Sequence, residues 1–198
     1  MLELTDDYLD GTASPGVHAI RCRQICAHPE FFGLEVGMTG KDEMLDIHLE
    51  NHRNTGEPLI IFSALVPEME RIFKLVHGKG MTVGLINGST SMKDRVLFDE
   101  AFRAGKLQVI VASPATAGVG FNWGFCDRMI FCSFDYQDSS FLQAYRRAIR
   151  GKRKKSLAIH VLCYRDSVEE RILQVVEKKS RLANAVDESK EIFALNRQ

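Results

Sequence analysis

The chain contains no run of eighteen apolar residues, which excludes a helix long and greasy enough to span a membrane. Its first residues, MLELTDDYLDG, lack a basic stretch followed by an apolar one, so no secretory leader is expected. A phosphate-binding loop is missing as well. Such a loop needs Gly-x4-Gly-Lys-Ser/Thr, so that backbone amides and the lysine can hold phosphates. The nearest approach, GMTGKDE at 37–43, has Glu35 where the first glycine belongs and Asp42 where the hydroxyl belongs. No DEAH-like acidic tetrad follows a strand, so no element for holding magnesium is evident, and the chain is not expected to bind ATP tightly by itself. The five cysteines include no CxxC pair. Cys22-x3-Cys26-x-His28 lacks the second ligand pair that a four-coordinate zinc site requires. No metal site is expected, and the thiols read as reduced and buried, in an intracellular setting.

Net charge is absent too, but its zero conceals an asymmetry. Residues 1–142 carry 12 Lys+Arg against 19 Asp+Glu, whereas residues 143–198 carry 14 against 7. The densest basic run, Arg146, Arg147, Arg150, Lys152, Arg153, Lys154 and Lys155, contains no acid. It suits a polyphosphate or a nucleic-acid backbone, and equally a solvated helix face.

What is present is an ordinary globular composition, 198 residues with 45% hydrophobic and 26% charged, enough for one domain with a sizeable core. Five short apolar runs, LIIFS (59–63), TVGLI (82–86), QVIVA (108–112), RMIFCS (128–133) and LAIHVLC (157–163), read as strands buried on both faces. Between them the period turns helical. Met69, Ile72, Phe73 and Val76 form a stripe after Pro67. Leu97, Phe98, Ala101 and Phe102 form another, ended by Gly105. Ser167-x-x-Glu170 reads as a capping box opening a helix whose stripe is Val168, Ile172, Val175 and Val176. Alternating strands and helices predict an α/β fold, a mostly parallel sheet flanked by helices. Residues 1–58 contain no clear strand and read as a helical lead-in, with helices over 19–27 and from about 39 to 51. The sheet domain is expected over 59–182 and a polar tail over 183–198.

Three segments could carry chemistry. Asn87-Gly88-Ser89-Thr90 follows the second strand and leads into a helix. Free amides and small hydroxyls there can cradle a phosphate, or simply cap the helix. Ser113 to Asn122 follows the third strand, with Gly118 and Gly120 permitting close backbone approach. Gln143, Arg147 and Arg150 fall at i, i+4 and i+7 of a helical segment, so they share one face. Guanidinium groups there could grip phosphate oxygens bidentately and stay charged.

These segments, in this order, resemble the C-terminal RecA-like lobe of superfamily-two helicases, in the Swi/Snf-type DNA translocase branch as found in bacterial and phage proteins. IRCRQICAHPEFF (20–32) resembles the family's "LRQICNHPxL" helix, and TGKDEMLDIHL (39–49) its "SGKxxxLxxLL" helix. PLIIFSALV (58–66) resembles motif IV, LINGSTSMKDR (85–95) the "DGSTS..ER" segment, and SPATAGVGFNW (113–123) motif V. QAYRRAIR (143–150) resembles motif VI, and SVEERIL (167–173) the closing "TVEExIL" helix. Pro114 departs from the family's usual threonine, and Arg146 from a usual acid. The resemblance implies ATP with Mg2+ bound between this lobe and a first RecA-like lobe, supplied in cis or in trans. It implies Arg150 as the principal arginine finger, Arg147 as its companion and Gln143 as their positioner. Gly118, Gly120 and Asn122 would couple ATP state to DNA grip, and Ser63, Asn87, Gly88, Ser89 and Ser113 would lie toward the backbone of duplex DNA. An RNA helicase lobe and a non-catalytic interaction module derived from such a lobe are the alternatives; the ING-STS and RQICAHP segments favour the DNA branch. The expected setting is cytoplasmic or DNA-associated, with no membrane partner.

Overall fold

A computed structural model describes residues 15–117, 121–133 and 156–186. Five strands, β1 (Leu59–Phe62), β2 (Val83–Ile86), β3 (Val109–Ala112), β4 (Arg128–Phe131) and β5 (Ala158–Val161), form one sheet in the order β2-β3-β1-β4-β5. Every pairing is parallel. β1 and β3 are buried along their whole length, as their unbroken apolar runs require when helices cover both faces.

The helices are α1 (Pro15–Ala27), α2 (Gly40–His52), α3 (Val66–Gly78), α4 (Met92–Arg103), the single turn α5 (Pro114–Ala117) and α6 (Val168–Val186). Their ends follow local chemistry. α3 carries Pro67 in its first turn, where no amide partner is needed. Ser91 caps the start of α4 by accepting the Asp94 amide at 3.1 Å, and Gly105 follows its far end with φ +70°. α2 opens on a reciprocal capping box that the sequence reading did not find: Asp42 N–H donates to the Thr39 hydroxyl and Thr39 N–H to the Asp42 carboxylate. At α6 the box is displaced by one residue. Ser167 accepts the Glu169 and Glu170 amides, but the Glu170 carboxylate accepts from Asp166 N–H at 2.8 Å, not from Ser167.

Two apolar clusters lie on opposite faces of the sheet. One holds Phe62, Ile110, Phe131, Trp123, Phe102 of α4 and Ile172 of α6. The other holds Ile61, Val111, Ile130, Leu45 and Leu49 of α2, and Met69, Ile72 and Val76 of α3. α2, from the lead-in segment, thus contributes directly to the core. Two expected stripe residues point outward: Leu97 is 51% and Val175 41% exposed. Phe98, already in its stripe, and Leu173, two residues before Val175, pack against the core. The expected stripes were each one residue too wide on the solvent side.

Beside β5, His48 of α2 meets His160 with ring centroids 4.5 Å apart. Burial holds both imidazoles below the usual histidine range. The other ring and Arg128 add to the effect on His48, and Arg128 adds to that on His160. His52 shifts the same way, chiefly through burial. With folded values below unfolded ones, the unfolded chain takes up more protons as pH falls. This stability is present above the unfolded pKa of about 6.5 and is lost below it. The urea midpoint should therefore drop between about pH 7.5 and about pH 5.5, and His48→Phe should flatten the decline.

Candidate functional site at the carboxyl edge of the sheet

Parallel strands end together, so the residues just past them share one edge. Phe62 pairs with both Ala112 and Phe131, and Ala112 pairs with Ile86. The next residues, Asn87, Ser113, Ser63 and Cys132, therefore form a row across four strands. It is sealed by Ser113 N–H to Ile86 O (3.2 Å), Ser63 N–H to Ala112 O (3.1 Å) and Cys132 N–H to Phe62 O (2.8 Å). This register brings Ser63, Asn87, Gly88, Ser89 and Ser113 to one edge, though their side chains have different occupations.

Asn87 is spent locally: its side-chain oxygen accepts Ser89 N–H at 3.0 Å and the Ser89 hydroxyl at 2.7 Å. Arg95 of α4 reinforces the turn, donating to the carbonyls of Thr90 (2.9 Å) and Asn87 (3.1 Å). Gly88 and Ser89 are exposed, and no atom lies within 4 Å of where a Cβ on Gly88 would sit. Ser113 caps α5, its hydroxyl accepting Thr116 N–H at 3.1 Å. Ser63 is fully buried and its hydroxyl donates to Glu68 Oε2 at 2.6 Å, so it holds the β1–α3 turn from within and does not face outward.

Asn122 is not brought to this row. Its carbonyl accepts from Arg103 at 2.6 Å, in the last turn of α4, while the row lies at that helix's first turn. Beside it Trp123 is buried, stacks on Phe121 at 4.7 Å and donates its indole N–H to Asp99 at 2.9 Å. Gly118, Gly120, Gln143, Arg147 and Arg150 lie outside the described residues.

Sequence reading missed a buried charge cluster directly beneath the row. The Lys41 ammonium donates to Glu169 of α6 and, at 2.7 Å, to the Cys132 carbonyl, and lies 3.9 Å from Glu68 of α3. Glu68 also accepts from the hydroxyls of Ser63 and Ser133, and Ser133 in turn accepts Ala64 N–H at 2.9 Å. All three charged side chains are at most 5% exposed. Burial pulls Lys41 toward its neutral form, but Glu68 and Glu169 outweigh it and hold its pKa above the ordinary lysine value. Glu169 is pushed up by burial, with Lys41 opposing. Lys41 is the lysine of the failed phosphate loop, so its structural employment accounts for the near-match. The only signal in the sequence was Thr39-x-x-Asp42, which fixes the start of α2 and thereby the inward direction of Lys41.

Burial also raises Cys26, to about 11, Cys163, and Cys132 well above the ordinary thiol. These are protonated, unreactive sulfurs. Among the described residues no group of His, Cys, Asp and Glu is arranged to hold a metal, and none of the five cysteines forms a disulfide.

A five-stranded parallel sheet with helices on both faces and strand exits gathered at one edge defines a RecA-like α/β lobe. Its fold matches a solved structure described as the C-terminal part of Fun30 ATPase domain, with a TM-score of 0.65 at 20% identity, over 88% of this chain and 59% of that one. Residues 40–152 match the family described as Helicase conserved C-terminal domain, and the chain belongs to that family. It is 29% identical over 136 residues to chromatin remodeling factor mit1 of Schizosaccharomyces pombe, covering 68% of this chain and 10% of that protein. It is 28% identical over 177 residues to chromodomain-helicase-DNA-binding protein 1-like of Mus musculus, covering 84% and 20%. The chain thus spans a fifth or less of the length of these relatives.

Proposed function

We propose that this chain is the second lobe of an ATP-dependent DNA translocase. In this reading it closes on ATP and Mg2+ held by a first RecA-like lobe, encoded in the same polypeptide or a separate one. The carrying observation is the row of strand exits in a chain of this family. The exposed Gly88–Ser89 turn and the Ser113 turn lie along one edge, and at the same edge β4 leads through Ser133 into the segment that bears Gln143, Arg147 and Arg150. Gly88 and Ser89, at the start of α4, offer amides and a hydroxyl to a DNA phosphate, a contact that fixes position on the duplex without reading bases. Asn87 and Ser63 serve this surface by stiffening the turns. Gly118 and Gly120 link it to the nucleotide, and Arg150 and Arg147 reach the γ-phosphate of ATP across the cleft with Gln143 setting their approach. Closing and opening of that cleft with each hydrolysis would move the lobe along the phosphate backbone.

The test combines the chain with a first lobe and measures ATP turnover without nucleic acid, with duplex DNA and with duplex RNA. Stimulation by duplex DNA is expected. Stimulation by RNA alone would assign the lobe to RNA, and no stimulation by either would leave a non-catalytic interaction module.

A further inference from the structure

β5 is an edge strand, paired with β4 on one side only among the described residues. The amides of Ala158 and Leu162 point inward, donating to Asp127 O (2.9 Å) and Phe131 O (2.8 Å). By the alternation of a strand, the N–H and C=O groups of Ile159 and Val161 point outward. Outside them runs a groove of about 760 Å³, walled by Met44 and His48 of α2 on one side and by Leu173 and Gln174 of α6 on the other. A polar backbone edge between two partly apolar helical walls is the shape of a vacant strand position.

Handedness identifies what comes next in that position. The β2–α4–β3 crossover steps toward β5 with α4 on the sheet face that holds Phe102 and Trp123. α6 packs on that same face through Ile172. Parallel crossovers share one hand, so a strand following α6 belongs one place beyond β5, in the groove. Residues 187–198 follow α6 and contain one apolar run, Ile192-Phe193-Ala194-Leu195. Its four residues equal the length of each strand in the sheet. The reach is also right. The 19 residues of α6 extend about 28 Å, roughly 15 Å more than β5, and an extended chain of about five residues covers that return. Residues 187–191 supply it.

We propose that Ile192–Leu195 dock in this groove as a sixth parallel strand, paired with the outer edge of β5. The segment covers an edge that would otherwise be open to association with other chains, and fixes the far end of α6 against α2.

Hydrogen–deuterium exchange over residues 157–163 tests this in three samples: the full chain, a chain ending at Val186, and full-length Phe193→Asp. The outward amides of Ile159 and Val161 should exchange roughly tenfold or more slower in the full chain than in either altered form. A synthetic peptide of residues 187–198, added to the shortened chain, should restore the protection, which keeps the test sound even where Phe193→Asp folds poorly. Equal exchange in all three samples would overturn the proposal. So would protection in the shortened chain that rises with protein concentration, because a second copy would then be the occupant.

Discussion

Lys41→Met should cost about 3–5 kcal/mol of unfolding free energy, a large share of the roughly 5–15 kcal/mol that holds a domain together. The substitution nearly preserves volume but removes the charge and its donors, leaving Glu68 and Glu169, two carboxylates at most 4% exposed, facing each other without a counter-ion. The Cys132 carbonyl loses its donor at the same stroke. Urea unfolding would measure the loss, and its pH dependence would identify the cause. Burial already lifts Glu169 above the usual carboxylate value while Lys41 opposes that rise. Without Lys41 the folded pKa climbs further, the folded protein binds protons that the unfolded chain does not, and stability is regained as pH falls. The deficit should therefore be smaller at about pH 5 than at about pH 8, and Glu169→Gln added to Lys41→Met should recover part of it. A deficit independent of pH would mean that lost packing, not an orphaned charge, carries the effect.

Arg150→Ala should lower DNA-stimulated ATP turnover by roughly 10³-fold or more once a first lobe is supplied, the range for removing an arginine that meets a transferring phosphoryl group. Arg147→Ala should fall short of that. Both variants should bind duplex DNA nearly as well as the parent, since a finger acts on the transition state and contributes little to holding nucleic acid. Unchanged turnover in Arg150→Ala would remove it from the proposed chemistry. A parallel loss of DNA binding would make it a phosphate anchor.

β1 and β3 were legible because each is an unbroken apolar run: LIIFS predicts β1 within a residue, and QVIVA predicts β3 equally well. Runs buried on both faces are recognised by their continuity, since they need no alternation of apolar and polar positions. The helices were legible to within their apolar faces, and the errors at Leu97 and Val175 arose because periodicity cannot say how wide a face the sheet will cover. The gathering of Ser63, Asn87 and Ser113 also followed from the sequence, since parallel strands must end together. The use of each side chain did not. Ser63 reads as a surface hydroxyl until Glu68, five residues on, is seen to turn inward and claim it. Lys41 is the sharper case, because its partners lie on α3, β4 and α6, and nothing local to GMTGKDE reports them.

The Lys41–Glu169 contact joins residues 128 positions apart. At ribosomal speeds of about 5–20 residues per second, the lysine emerges roughly 6–25 s before its partner exists. During vectorial synthesis the nascent lobe can pair β1 with β3 and tie α2 to α3 through Arg71–Asp42, but Lys41 lacks its Glu169 partner until α6 is made. Closure of the buried charge cluster thereby waits for α6, and a polypeptide stalled after β4 would present an unclosed edge to the chaperones of the cell.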